Sequence, residues 1–156
     1  MPQEEVVTYE QCLAYSIEKT AVYYRLMGAQ FFNARNYGIT LEQFSVLEIL
    51  YQSKEEICQR DLSKKILKDR SNTSRFLNIL EEKGCIIRNV DTKQKRLVKN
   101  VKITQKGKEL YELIIPELKT VYLASLENIS KDEISFVKDF LKKIRNNLSK
   151  DTNIQI

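Results

Sequence analysis

The hydrophobic period of this chain changes at residue 85 and changes back at residue 104. Up to Gly84, apolar residues recur at three- and four-residue steps, the spacing of one face of a helix. From Cys85, the segments CIIRNV and RLVKNVKI alternate apolar and polar positions and are rich in β-branched residues. Leu97, Lys99, Val101 and Ile103 fall on one side, and Val98, Asn100 and Lys102 on the other. After Thr104 the helical spacing resumes. Such a chain has to set one small hairpin inside an otherwise helical protein. Only four glycines and two prolines occur in 156 residues, which also favours long helices.

Thr8 to about Ala34 reads as a first helix, with Thr8 and Gln11 as a capping-box pair. Leu13, Ile17, Val22, Leu26, Phe31 and Phe32, with Tyr15, Tyr23 and Tyr24, give it more apolar surface than one stripe needs. One face suits the core, and the surplus suits a partner chain. Gly38 breaks, Thr40 caps and Gln43 sits at the third helical position of a helix with the stripe Leu41, Phe44, Leu47, Leu50. QRDLSKKI, residues 59–66, reads as a short helix with Leu62 and Ile66 inward and a small Ser63 where a neighbour can come close. Residues 69–83 form the next helix, capped by Asp69 and stopped by Gly84.

DTKQKR is the polar loop of the hairpin and gives it a cationic tip. Thr104 caps a long helix to about Glu127, and Pro116 is expected to kink or split it. Ser130 and Glu133 make a capping box for the last helix. Its Ile134, Val137, Leu141, Ile144 and Leu148 fall at steps of 3, 4, 3, 4, a coiled-coil seam. That seam packs within the chain or joins the first helix in a dimer. The tail DTNIQI is expected to fray. The predicted fold is mainly α with a small β-hairpin wing. It is a winged helix-turn-helix over residues 37–108, flanked by helical dimerisation segments at 1–36 and 109–156.

Charge follows the same division. Residues 53–108 hold sixteen Lys/Arg against seven Asp/Glu, a net of +9. Residues 1–52 carry −3 and residues 109–156 carry −1. A basic segment between acidic flanks points to a polyanion partner. Within it, Thr73, Phe76, Leu77 and Leu80 share the inward face of the 69–83 helix. Ser71, Ser74, Arg75 and Asn78 share the opposite face, beside Arg70 and Asn72. A merely solvated face usually carries Glu and Lys, which have better helix propensity. Ser and Asn offer short directional hydrogen bonds, and Arg binds guanine bidentately or holds phosphate. The face suits the major groove of double-stranded DNA.

Other classes fit poorly. The chain lacks histidine, G-x-G-x-x-G, a P-loop and metal-ligand spacing, so no enzyme, metal or cofactor is expected. Cys12, Cys58 and Cys85 are far apart and form no C-x-x-C pair. No apolar run approaches the roughly 18 residues that cross a membrane. The start MPQEEVVTYEQ is polar and acidic, unlike a signal peptide, so a cytoplasmic protein is expected.

ICQRDLSKKILKDRSNTSRFLNILEEKGCIIR, Ile57 to Arg88, resembles the multiple-antibiotic-resistance regulator (MarR) family of bacterial transcription factors. Asp69-Arg70-Ser71, Ser74-Arg75-Phe76-Leu77 and Leu80-Glu81 with Gly84 stand in the family's order. ITLEQFSVLEIL before this stretch and VKITQKGKEL after it extend the similarity. The resemblance implies a homodimer with intertwined terminal helices, binding a pseudo-palindromic operator. Recognition helices would enter major grooves about 34 Å apart and wings would meet minor grooves. Repression is the commoner mode of the family.

By position, Ser71, Asn72, Ser74 and Arg75 would read bases or nearby phosphates, and Arg70 would hold phosphate. Gln59 and Arg60 would contact the backbone, and Lys93, Lys95 and Arg96 belong to the wing. Arg96 best matches the family's wing-tip arginine, but Gln94 and Lys95 replace its acidic brace and the loop is one residue longer. Lys95 and Arg96 thus stay alternatives for the minor groove. Leu67-Lys68 replaces a usual Gly-Leu, and Cys58 a usual Ser or Thr cap.

Such regulators often release DNA when a small molecule or oxidant binds. Tyr23, Tyr24, Phe31, Phe32 and Phe44 are candidates to line an effector pocket, although an aromatic stripe is more often core. Cys12 and Cys58 are candidate redox sensors, and Cys85 reads as inert core. Two rival readings are a winged-helix module that docks protein and a non-specific DNA-coating protein.

Overall fold

The computed structural model of the chain describes residues 8–53, 55–93 and 96–151. Its elements are α1 (Leu13–Arg35), α2 (Leu41–Gln52), β1 (Ile57–Cys58), α3 (Gln59–Lys65), α4 (Arg70–Glu82), β2 (Ile86–Lys93), β3 (Arg96–Ile103), α5 (Gln105–Ala124) and α6 (Lys131–Asp151). Of the tail DTNIQI, Asp151 ends α6 and residues 152–156 lie outside the described residues.

Most boundaries are set by local caps. Thr40 and Gln43 complete a reciprocal capping box at α2. The Thr104 hydroxyl accepts from Gly107 N–H at 3.1 Å, and Ser130 and Glu133 cap α6 reciprocally. The first helix differs from its expected form. Thr8 makes no side-chain cap, and Tyr9–Gln11 is a single 3-10 turn. Cys12 is extended there, and its Sγ accepts from Tyr15 N–H at 3.4 Å to start α1. Tyr9 is drawn elsewhere, donating to Glu18 at 2.6 Å and meeting the Tyr15 ring edge-on. Pro116 does not split α5, which runs on to Ala124 and ends short of Glu127.

The sheet has three strands rather than two, in the order β1-β3-β2 and antiparallel throughout. Ile57 pairs with Val101, and Cys58 with Asn100. In the hairpin Ile86 pairs with Ile103 and Lys93 with Arg96, so strand pairing takes in most of the expected DTKQKR loop. Ile86, Val101 and Ile103 are buried at the base of the hairpin. Val90 and Leu97, further out, are exposed because the hairpin has left the core there.

One core gathers Phe31 and Phe32 of α1, Phe44 and Leu47 of α2, Leu62 of α3, Leu77 and Leu80 of α4, Val101 of β3, and Tyr111 and Ile114 of α5. Each such fully buried side chain is worth about 1.5–3 kcal/mol relative to exposure. Tyr51 stacks on Tyr111 at 4.2 Å, Tyr111 on Phe44 at 5.4 Å, and Phe44 meets Phe32 at 5.6 Å. Hydrogen bonds from α5 flank this ladder. Glu112 accepts from Tyr51 at 2.7 Å, and Glu117 accepts from both Tyr37 and Arg35. Among the described residues the α6 seam is only partly covered: Ile134, Leu141 and Ile144 are half-buried and Val137 is exposed, and beside it Phe136 and Phe140 stack on each other with Phe136 69% exposed.

Candidate nucleic-acid interface

The α4 helix is two-faced, as its residue pattern requires. Thr73, Leu77 and Leu80 are buried and Phe76 is half-buried. Arg70, Ser71, Arg75 and Asn78 are exposed, and Asn72 and Ser74 are half-buried. The outward groups are therefore two guanidinium groups, a hydroxyl and a carboxamide on one rigid element, chemistry suited to base edges and phosphates.

Both ends of α4 are fixed. At the N-terminus, Asp69 accepts from the Asn72 N–H at 2.8 Å and from the Asn72 carboxamide at 2.6 Å. These bonds hold the Asp69 carboxyl below its ordinary range. Asn72 thus braces the helix start, a role that its expected place among base readers did not suggest. The Thr73 hydroxyl donates to the Asp69 carbonyl at 2.8 Å. At the C-terminus, Gly84 has a φ of 71°, and Gly84 and Cys85 N–H bond back to Glu81 and Leu80 at 2.8 Å each. Arg88 of β2 donates to Glu81 at 3.0 Å and holds its carboxyl low, which fastens the wing's first strand to the helix.

The α3–α4 turn closes in the same manner, with Leu67 in the left-handed slot at φ 55°. Leu67 N–H bonds to Lys64 and Lys68 N–H to Ser63. At the start of α3, Cys58 makes no side-chain cap. Arg60 is exposed there, while the Gln59 Oε1 is buried and finds no hydrogen-bond partner among the described residues. Lys93 and Arg96 end the paired strands of the wing, and Lys95 lies outside the described residues.

The five aromatics expected to line a pocket separate. Phe31, Phe32 and Phe44 are buried in the core. Tyr23 and Tyr24 instead line a cavity of about 590 Å³ with Lys19, Met27 and Ser125. A second cavity of about 420 Å³ shares Tyr24 and Met27 and is lined further by Leu41, Ile115, Leu118 and Tyr122. The contributions of α5 were missed in the sequence, since nothing there marks which of its residues turn toward α1. Cys12 and Cys58 are half-buried, and burial pushes the Cys85 thiol up. Among the described residues, no cluster of His, Cys, Asp or Glu has the spacing of a metal site.

Short helices closed by a three-stranded sheet, with the polar face of α4 and its two arginines turned outward, define a winged-helix DNA-binding protein. Residues 39–98 match the defining pattern of the MarR family. The HTH-type transcriptional regulator YdgJ of Bacillus subtilis (strain 168), itself uncharacterized, is 32% identical over 112 residues, 72% of this chain and 67% of that protein. The S. aureus MepR–DNA complex superposes with a TM-score of 0.76 at 25% identity, covering 88% of this chain and 98% of that one. The transcriptional regulator SlyA gives 0.70 at 27% identity, covering 88% and 95%. The chain belongs to the MarR family of DNA-binding transcriptional regulators and is not an enzyme.

Proposed function

We propose that the protein is a cytoplasmic repressor that binds a pseudo-palindromic operator as a homodimer and is released by a small ligand or oxidant. The observation that carries this reading is the outward Arg70, Ser71, Arg75 and Asn78 of α4, opposite its buried stripe. Ser74, Arg60 and the wing lysines and arginine complete the surface. The lobe at 37–108 would do the reading, and 1–36 with 109–156 would hold two copies together. Exposed Leu13, Ile17 and Val22 on α1 and Phe136, Val137 and Phe140 on α6 support that division, since association would bury them. A relative at 25% identity, MepR, is known in complex with DNA.

Release would begin in the cavities beside Tyr23 and Tyr24, which lie between α1 and the end of α5. Their largely apolar lining, with a few hydroxyls, Lys19, Lys119 and Glu48, suits a small amphiphilic molecule. Oxidation would act instead through the half-buried Cys12 or Cys58.

The test is fluorescence anisotropy with DNA from upstream of the protein's own gene against a shuffled fragment, at several salt concentrations. Preference of about tenfold for the native fragment, with affinity falling steeply in salt, is the expected result. Equal binding to both, followed by failure to enrich any sequence from random DNA, identifies a non-specific coating protein. No binding at low salt identifies a protein-docking module. Sedimentation at the same concentrations reads the dimer directly.

A further inference from the structure

The recognition helix and the long helix α5 meet at a joint built on Thr104. The Thr104 N–H donates to the Cys85 carbonyl at 3.0 Å, and its hydroxyl donates to the Gly84 carbonyl at 2.7 Å. The same hydroxyl accepts from Gly107 N–H at 3.1 Å and so caps α5. Gly84 and Cys85 are the residues whose own N–H groups close the last turn of α4. One hydroxyl thus links the first turn of α5 to the last turn of α4. Gly107 permits the approach: a Cβ there would lie 2.1 Å from the Cys85 carbonyl oxygen, a backbone atom that cannot turn aside. Capping alone does not explain this arrangement. A cap needs only an acceptor for the helix N–H. Donation to a second element adds nothing to the cap and fixes an angle.

We propose that the Thr104–Gly107 joint sets the half-site spacing the protein accepts on DNA. It does so by locking the angle between α4 and α5, so that Thr104 is a positioning residue rather than a DNA contact. The proposal rests on the two-copy, two-half-site reading above. In such an assembly α5 is anchored near the two-fold axis, and any play at the joint becomes play in the separation and phase of the two α4 helices.

Two variants separate the joint from the cap. Thr104→Asp keeps a strong capping acceptor but cannot donate to Gly84. Thr104→Ser keeps both bonds. The probe is a duplex enriched from random DNA by the wild-type protein, with versions carrying one base pair inserted or removed between the half-sites. One pair rotates a half-site by about a tenth of a turn. Wild type and Thr104→Ser are expected to lose roughly tenfold or more in affinity on the altered spacings. Thr104→Asp is expected to lose only about threefold, at unchanged helix content and sedimentation. An added charge that weakens all duplexes alike leaves this ratio untouched. Thr104→Asp as strict as wild type overturns the proposal. If Thr104→Asp does not fold, Thr104→Ala takes its place, since it removes the donation to Gly84 without adding bulk or charge, and an unchanged spacing preference there overturns the proposal equally. Wild type that tolerates every spacing alike overturns the two-half-site reading itself, and the proposal with it.

Discussion

On α4, Arg75 is placed to read DNA under the proposed function, while a nearby residue serves the scaffold. Arg75 is exposed on the outer face of α4, whereas Asn72, three residues earlier, is committed to Asp69. Arg75→Ala is expected to weaken binding to a preferred site by about 1–3 kcal/mol and to blur discrimination at the base it meets. Anisotropy against single-position variants of the site checks this, and unchanged preference would remove Arg75 from the reading surface. Leu67 is the opposite case, a residue the backbone barely tolerates. It sits at φ 55° with 71% of its surface exposed, so it spends strain and gains little burial. Leu67→Gly is expected to stabilise the fold by roughly 1 kcal/mol, read as a higher urea midpoint at constant slope. A lower midpoint would show that the exposed side chain packs on something.

Among the elements, α5 is the spine. It begins at the Thr104 joint, accepts from Tyr51, Tyr37 and Arg35 along its length, and ends beside the cavities at Tyr122. The helix α4, which would read DNA, is thus tied to the helix that would carry dimer geometry, and this would give an effector in those cavities a mechanical route to α4. The wing would contribute separately. Lys95→Ala combined with Arg96→Ala is expected to weaken binding to most sequences alike and to flatten the dependence of log affinity on log salt by up to about two charges. A salt slope equal to that of wild type would remove the wing from the contact surface.

The whole molecule is held at several places by carboxylates that the folded state keeps ionised. Asp69 is lowered by its bonds from Asn72, Glu81 by Arg88, Glu117 by Arg35 and Tyr37, and Glu133 by Ser130. A carboxylate whose folded value lies below its unfolded value adds stability above the unfolded value and loses it as pH falls through the folded one. The thermal midpoint is therefore expected to be nearly level from neutral pH to about pH 5 and to fall below about pH 4. A midpoint that holds level to pH 3 would show that these bonds are not kept in solution.

Much of this was legible along the chain because its causes are local. Thr40 with Gln43, Asp69, Thr104, and Ser130 with Glu133 cap helices within three residues of their partners, so spacing alone reveals them. The inward stripe and outward polar face of α4, the hairpin and the basic middle segment are likewise properties of residue order. What lay outside that reach depends on groups distant in sequence. Two residues, Ile57 and Cys58, are too few to show a period, and they form a strand only because β3 presents an open edge. Phe31 and Phe32 are core while Tyr23 and Tyr24 are surface, although all four look alike on α1. The difference is made by Tyr37 and Phe44, whose rings pack against the Phe31–Phe32 end of that helix. The helices, the hairpin and the two faces of α4 follow from dihedral preference and side-chain period and can be read along the chain, whereas β1 and the 3-10 turn at Tyr9–Gln11 cannot. Which faces meet, which cavities remain and where α4 is braced emerge only on folding, because burial is a property of neighbours that the order of residues does not name.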